Sequence, residues 1–508
     1  MKTKYYIKLF ALIALLCLST IIAKPFAESE EKSLLTKLFQ NLFSNEKNTP
    51  NKKEFLEPNK FTTHKDYNQI VNLISQKIKL DPDLKSAAYN RVAYLVDTFG
   101  PRLWGSEELL DASKYMQSRL IAEKFENVKL EENKNSLHWV RGSESLTMFS
   151  PRKNPTKIPM VGLGKSIGGV ASGELITFES FEDLEKNASK VPGKVVLFNP
   201  KWTGYGDVSK YRANGASQAA KHGAIACLVR SLTPFSIESP HGGAMNYDEN
   251  YSKIPAAAIS LEDADMFERM YNRGQKVILQ LKMEAHFEDL TSTYNVVGEI
   301  TGSEFPNEII LIGGHIDSWD VGPQTGANDD AAGFMVCMEA VRVLIKLNLR
   351  PKRTIRFIAW SGEEFGDKNS GGPNYAKMHT NELDNHVIAF ESDLGTTDIE
   401  GFGFSGGSNG FEIFKKINEN YLMKNLNLTR IENGDGVMQD TTPLYKAGIP
   451  VVRNLIKDSP DSKFYFTYHH SGGDTVSILN KDDMDKNVAA IASLFYVIAD
   501  MPEKFPRN

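Results

Sequence analysis

From residue 292 onward the chain alternates short, wholly apolar runs with long helical patterns. Ile309-Ile310-Leu311-Ile312 lies in a run from Glu308 to Gly313 with no polar alternation. A strand of that kind is covered on both faces. Ala331–Leu347 has helical spacing, and Thr354–Trp360, Val387–Phe390 and Pro450–Val452 read as further strands. Strands buried on both sides and separated by helices predict an α/β fold. Its sheet is mixed and mainly parallel, with helices on both faces. Ligands of such sheets lie beyond the carboxyl ends of the strands. Polar residues just after each strand are therefore the candidate functional groups.

Those positions hold residues that bind metals. The first strand runs into Gly314-His315-Ile316-Asp317, where His315 can present a ring nitrogen and Asp317, two residues on, can orient it. Asn328-Asp329-Asp330 precedes the long helix, so this acid pair either binds metal or caps the helix. The next strand leads to Glu363-Glu364 and the next to Glu391-Ser392-Asp393, and far downstream lies His469-His470-Ser471-Gly472-Gly473-Asp474. Three Cys (Cys17, Cys227, Cys337) are too few and too scattered for a thiolate zinc site, so any metal must rest on His and carboxylates. Cys227 and Cys337 read as buried free thiols. Two divalent ions about 3.5–4 Å apart can activate a water and stabilise an oxyanion, and a spare carboxylate can take the proton. Each element alone is a weak signal. Their recurrence at successive strand ends gives them weight.

A chain of 508 residues exceeds one ordinary core. Helical spacing places Ile70, Leu73, Ile74 and Ile78 on one face, with further helices expected over Leu84–Thr98 and Glu107–Lys124. From 151 to 291 short β-type runs separated by Gly and Pro predict an inserted β-rich domain, including a strand Val195–Phe198 and a helix Tyr211–His222. The catalytic domain would then comprise 65–150 plus 292–508. His241-Gly242-Gly243 either reaches the cleft or, the preferred reading, is a turn with one exposed His. Lys2, Lys4 and Lys8 before an uncharged run from Leu9 to Ala23 predict a signal peptide over 1–23. Residues 24–64 are polar and read as a propeptide or flexible lead. The expected location is secreted or lysosomal, with no stable membrane span after signal removal. Sequons at Asn187, Asn250 and Asn427 fit that route. A net charge of −5 argues against a nucleic-acid partner.

The order GGHID, GANDDAAG, SGEEFG, ESDLG and HHSGGDT resembles the co-catalytic zinc exopeptidases, the family that includes aminopeptidase Y and the glutamate carboxypeptidases. GPRLWGS at 100–106 adds to the likeness, which runs from about residue 65 to 500. The resemblance implies a zinc-peptidase/phosphorylase-like fold with an inserted protease-associated domain and two zinc ions per subunit. By resemblance, the metal ligands are His315, Asp329 as the bridging carboxylate, Glu364, Asp393 and His470. His470 is preferred to His469 because the family ligand lies four positions before an acid, here Asp474. Asp317 becomes the orienting helper of His315, and Glu363 the general base for a metal-bridged water. His469 stands where many relatives have Tyr; it either donates a hydrogen bond to the oxyanion or packs at the rim. A cis Asp329–Asp330 peptide, a zymogen, a homodimer and activity on short unblocked peptides, especially dipeptides, are also implied. The rivals are an aminopeptidase on longer peptides, a carboxypeptidase with acidic specificity, a receptor-like binding protein on an inactive scaffold, and a single-zinc glutaminyl cyclase. Retention of the full ligand set counts against the last two.

Overall fold

A computed structural model describes residues 67–457 and 464–507. The expected signal peptide, the lead at 24–64 and Cys17 lie outside the described residues. Two eight-stranded sheets organise the rest.

The first sheet is built from β1 (Glu126–Ser136), β2 (Thr291–Ile300), β3 (Phe305–His315), β4 (Arg353–Trp360), β5 (His386–Glu391), β6 (Ile399–Ser405), β7 (Arg430–Asn433) and β8 (Val451–Ile456). Their order is β1-β2-β4-β3-β5-β8-β6-β7. The central strands β4, β3, β5 and β8 are mutually parallel. β1 and β2 form an antiparallel edge, and β6 turns back against β8. The sheet is thus mixed with a parallel centre, as the apolar runs predict.

Alternation of side chains along the strands sorts the helices between the two faces. Ile310, Ile312, Phe357 and Phe390 pack in one core with the helices Ala332–Lys346 and Lys481–Asp500. Leu311, Ile358 and Ala389 pack on the other side with Tyr375 and Leu444, from the helices Gly371–Met378 and Thr442–Lys446. Each fully buried Leu, Ile or Phe contributes about 1.5–3 kcal/mol. Helix Ala332–Lys346 is buried nearly all round, and its charged residues Glu339 and Arg342 pair with each other at 2.9 Å. Cys227 and Cys337 are buried free thiols.

The second sheet draws all its strands from residues 144–283. Four of them, Gly169–Phe178, Val195–Phe198, Ala226–Arg230 and Ala256–Ile259, are parallel. Its first strand, Glu144–Ser150, pairs with Ile278–Met283 and so lies upstream of the expected boundary at 151. Residues 151–155, where the change of texture set that boundary, connect it to the neighbouring strand Thr156–Ile158. Helix Tyr205–Lys221 begins six residues before its expected start. Among the described residues no helix is long and apolar enough to cross a membrane.

Candidate metal centre

His315 is the last residue of β3 and is fully buried. Opposite it on β4 is Trp360, after which the chain enters the turn Glu363–Phe365. β5 ends at Glu391, two residues before Asp393. The parallel register therefore delivers His315, Glu363, Glu364 and Asp393 to one end of the sheet. Asp329 arrives on the irregular turn Ala327–Ala331 that starts the long helix, and the Asp329–Asp330 peptide is cis.

The side chains converge on Asp329. His315 Nε2 lies 3.2 Å from Asp329 Oδ1, 3.2 Å from Asp393 Oδ1 and 3.9 Å from Glu363 Oε2. His470 Nε2 lies 3.4 Å from Asp329 Oδ2 and 2.8 Å from Glu364 Oε2. The two oxygens of Asp329 thus face two different ligand sets. His315 Nε2, Asp329 Oδ2 and Asp393 Oδ1 are buried and have no hydrogen-bond partner. Buried polar atoms are nearly always satisfied, so orphans aimed at one another fit cations held between them. Imidazole and carboxylate donors suit zinc. A hollow of about 580 Å³ among Ser75, Lys85, Lys424 and Lys486 lies elsewhere, on the helical layer, and none of these ligands lines it.

His469, left between two roles by the sequence, stacks on His470 with ring centroids 3.6 Å apart. Its Nε2 is 3.5 Å from Asp329 Oδ2, so it belongs to the cluster rather than to a rim. Burial holds both imidazoles below the ordinary histidine range, His470 at about 3. Burial, then the Asp393 charge, raises the Glu363 carboxyl well above its usual value. Burial also pushes Asp329 upward, but the imidazoles of His315, His469 and His470 outweigh it and hold the group below the usual range. Glu363 keeps 12% of its side-chain surface exposed, whereas His315 is closed off.

Asp317 works differently from its expected role. His315 Nδ1 is 3.0 Å from the main-chain oxygen of Asp317, while the carboxylate is 3.7 Å away. That carboxylate instead accepts from the N–H groups of Gly362 (2.6 Å) and Glu363 (3.3 Å). It fixes the turn that carries the two glutamates. β3 ends at His315, so the strand alternation that suggested a shared face does not extend to Asp317. Asp330 accepts the His315 N–H at 3.0 Å, and no side chain caps the long helix.

His241 is not exposed: it is 2% accessible and forms a β-bridge with Ser471. The next residue, Gly242, donates its N–H to the His470 carbonyl at 2.8 Å. Short-range turn signals give no sign of this long-range pairing. Sequence reasoning also left several supporting residues without a role. Buried Arg102 donates to the carbonyls of Ile316 (2.7 Å) and Gly326 (2.8 Å). Trp319 Nε1 donates to Glu364 Oε2 at 2.6 Å. Gln439 donates to the Glu363 carbonyl. The motif GPRLWGS contained Arg102, but nothing local indicates what its guanidinium reaches.

This geometry has counterparts. A model of Peptidase family M28 matches residues 295–495, which hold every ligand named above. The solved structure of a peptidase M28 precursor from Shewanella amazonensis SB2B superposes with a TM-score of 0.79 at 30% identity, covering 87% of this chain and 99% of that one. The chain belongs to peptidase family M28 and is a zinc metallopeptidase. More particularly, it is similar to carboxypeptidase Q: the Pongo abelii protein is 40% identical over 428 residues, 84% of this chain and 88% of that protein. The zinc aminopeptidase of Bacillus subtilis shares the fold, with a TM-score of 0.62 at 20% identity over 83% of this chain and 97% of that one.

Proposed function

We propose that the chain is a dizinc exopeptidase hydrolysing short unblocked peptides, dipeptides above all. The observation that carries this reading is the division of Asp329: Oδ1 faces His315 and Oδ2 faces His470. One ion would rest among His315, Asp329 and Asp393, the other among Asp329, Glu364 and His470. When bound, such ions supply Lewis acidity and an acidified water. Glu363 takes the proton of the attacking water and passes it to the leaving amine. His469 donates to the developing oxyanion from beside His470. Tyr205 and Gly242, from the second-sheet segment, stand against His469 and His470 and favour short substrates over long chains. We read that segment as a protease-associated-like insertion.

The reading extends to a secreted or lysosomal homodimer, made with a signal peptide at 1–23 and a removable lead at 24–64. Glycans would sit on exposed Asn250 and Asn427 and on half-buried Asn187. The test is Glu363→Gln. It should lower kcat on a dipeptide by about 10²–10⁴-fold while metal analysis still finds about two zincs per chain. Full activity with both metals present would discard Glu363 as the base. One zinc in the wild type would favour a cyclase, and none a binding protein.

A further inference from the structure

The loop at 163–166 of the second-sheet segment reaches the turn that carries the two glutamates. Lys165 Nζ donates to the Phe365 carbonyl at 3.0 Å and to Asn246 Oδ1 at 3.3 Å. It also stands 5.9 Å from the centre of the Phe365 ring. Both acceptors are uncharged, and a half-buried ammonium with neutral partners is costly to place. Burial lowers its proton affinity, with the Asp367 charge opposing. The backbone is constrained too: φ of Lys165 is +69°, a left-handed conformation that residues with a side chain seldom adopt. The preceding residue, Gly164, lies so close to Trp319 that a Cβ would stand 2.0 Å from the indole. The loop is therefore shaped to press on Trp319 and to deliver Lys165 to Phe365. The same segment reaches His470, with Arg212 Nη1 3.3 Å from its Nδ1.

We propose that Lys165 is a positioning residue for Glu363, so that the second-sheet segment completes the proton-transfer site. This assignment rests on the reading of Glu363 as the general base. Phe365 closes the turn Glu363–Phe365. Asp317 holds the N–H groups at the start of that turn, Gln439 holds the Glu363 carbonyl, and Lys165 holds the last carbonyl. An anion at the amide end and a cation at the carbonyl end match the polarity of the aligned peptides. Phe365 also stacks on Trp319 at 5.1 Å, and Trp319 donates to Glu364. Lys165 thus acts on the glutamates through the turn and the rings beneath it. Released at its last carbonyl, the turn would let Glu363 drift from the attacking water. A misplacement of about 1 Å can cost about a hundredfold in rate.

The experiment measures kcat and KM for alanyl-leucine on the zinc-loaded, full-length enzyme, together with zinc content and Tm. Lys165→Met keeps the length of the side chain and removes its donor and charge. Its kcat should fall about 10–100-fold, with KM within about twofold of wild type and with zinc and Tm retained. Lys165→Arg should recover part of the loss, because a charged donor returns to the Phe365 carbonyl. In a Glu363→Gln background, Lys165→Met should cost less than about threefold, since the group it positions is already gone. A wild-type kcat in Lys165→Met overturns the assignment. So does a loss confined to KM, which marks a substrate contact, or a loss of zinc or Tm, which marks support of the fold alone. The same fold-loss in both backgrounds overturns it as well. Full activity of Glu363→Gln with both zincs bound would instead sink the general-base reading itself.

Discussion

Asp474 accepts the main-chain N–H groups of Asn328 (2.7 Å) and Asp329 (3.1 Å), so it holds the segment that aims Asp329. Burial and the Asp329 charge raise its carboxyl to about 7. Asp474→Asn would place an NH₂ against one of those donors. We expect a 10–100-fold loss of zinc affinity, the usual scale for residues that support metal ligands, read by competition with a chromogenic chelator. Activity should return at excess zinc; unchanged affinity would show that the turn holds itself. Gly362 is constrained by its backbone. Its φ is +96°, and a Cβ would stand 2.4 Å from Trp104 Nε1. Gly362→Ala should lower stability by roughly 2–4 kcal/mol, combining strain and overlap, measured by urea unfolding; a wild-type midpoint would refute the close packing. At this scale the ligands are legible because His, Asp and Glu recur directly after successive apolar strands, where ligands of such sheets lie. Arg102, Trp319 and Arg212 are not, because their partners lie far away along the chain and their types are ordinary.

The helices tie together through buried charge. Glu123, just after helix Glu107–Ala122, accepts from Arg342 at 2.7 Å and from Arg91, while Arg91 also reaches Glu339 at 2.6 Å. Burial works to raise the Glu123 carboxyl, but hydrogen bonds from Arg342 and Arg91 prevail and bring it to about 2. A carboxyl depressed in the folded state contributes stability above its unfolded value, ordinarily 4.5. That contribution is lost as pH falls through the folded value. Glu123→Gln should therefore cost roughly 2–4 kcal/mol at pH 7. The gap from wild type should narrow as pH falls from 4.5 toward 2, followed by denaturant midpoints at each pH. A gap independent of pH would mean that packing, not charge, is what the variant removes. The strands of the parallel centre are legible because burial on both faces leaves uniform apolar runs, such as Ile309–Ile312. β6, β7 and Glu144–Ser150 are harder to read, since Gly401, Gly403 and alternating polar residues blur their pattern.

The whole molecule concentrates negative charge in one place. Asp317, Asp329, Asp330, Glu364, Glu391, Asp393, Asp440 and Asp474 are all buried around the strand ends. Facing them are His315, His469, His470 and the guanidinium groups of Arg102 and Arg212. Burial comes first in raising Glu363, Glu364 and Asp330 well above the carboxylate range, and their acidic neighbours raise them further. Asp440 is raised to about 7, again chiefly by burial. Carboxyls raised in the folded state support it below their unfolded values and withdraw that support as pH rises through the folded ones. The metal-free protein should therefore weaken between pH 6 and pH 8. Cations bound among the ionised ligands reverse this, because binding releases the protons and favours the folded chain. At a thousandfold excess over Kd each ion adds about 4 kcal/mol. Removing metal with a chelator should lower Tm by at least about 3 °C at pH 8, and by less at pH 6. Differential scanning calorimetry with and without chelator, followed by zinc add-back, reads both numbers. A Tm indifferent to chelation at pH 8, with zinc analysis confirming its removal, would mean that this acidic cluster is held without cations.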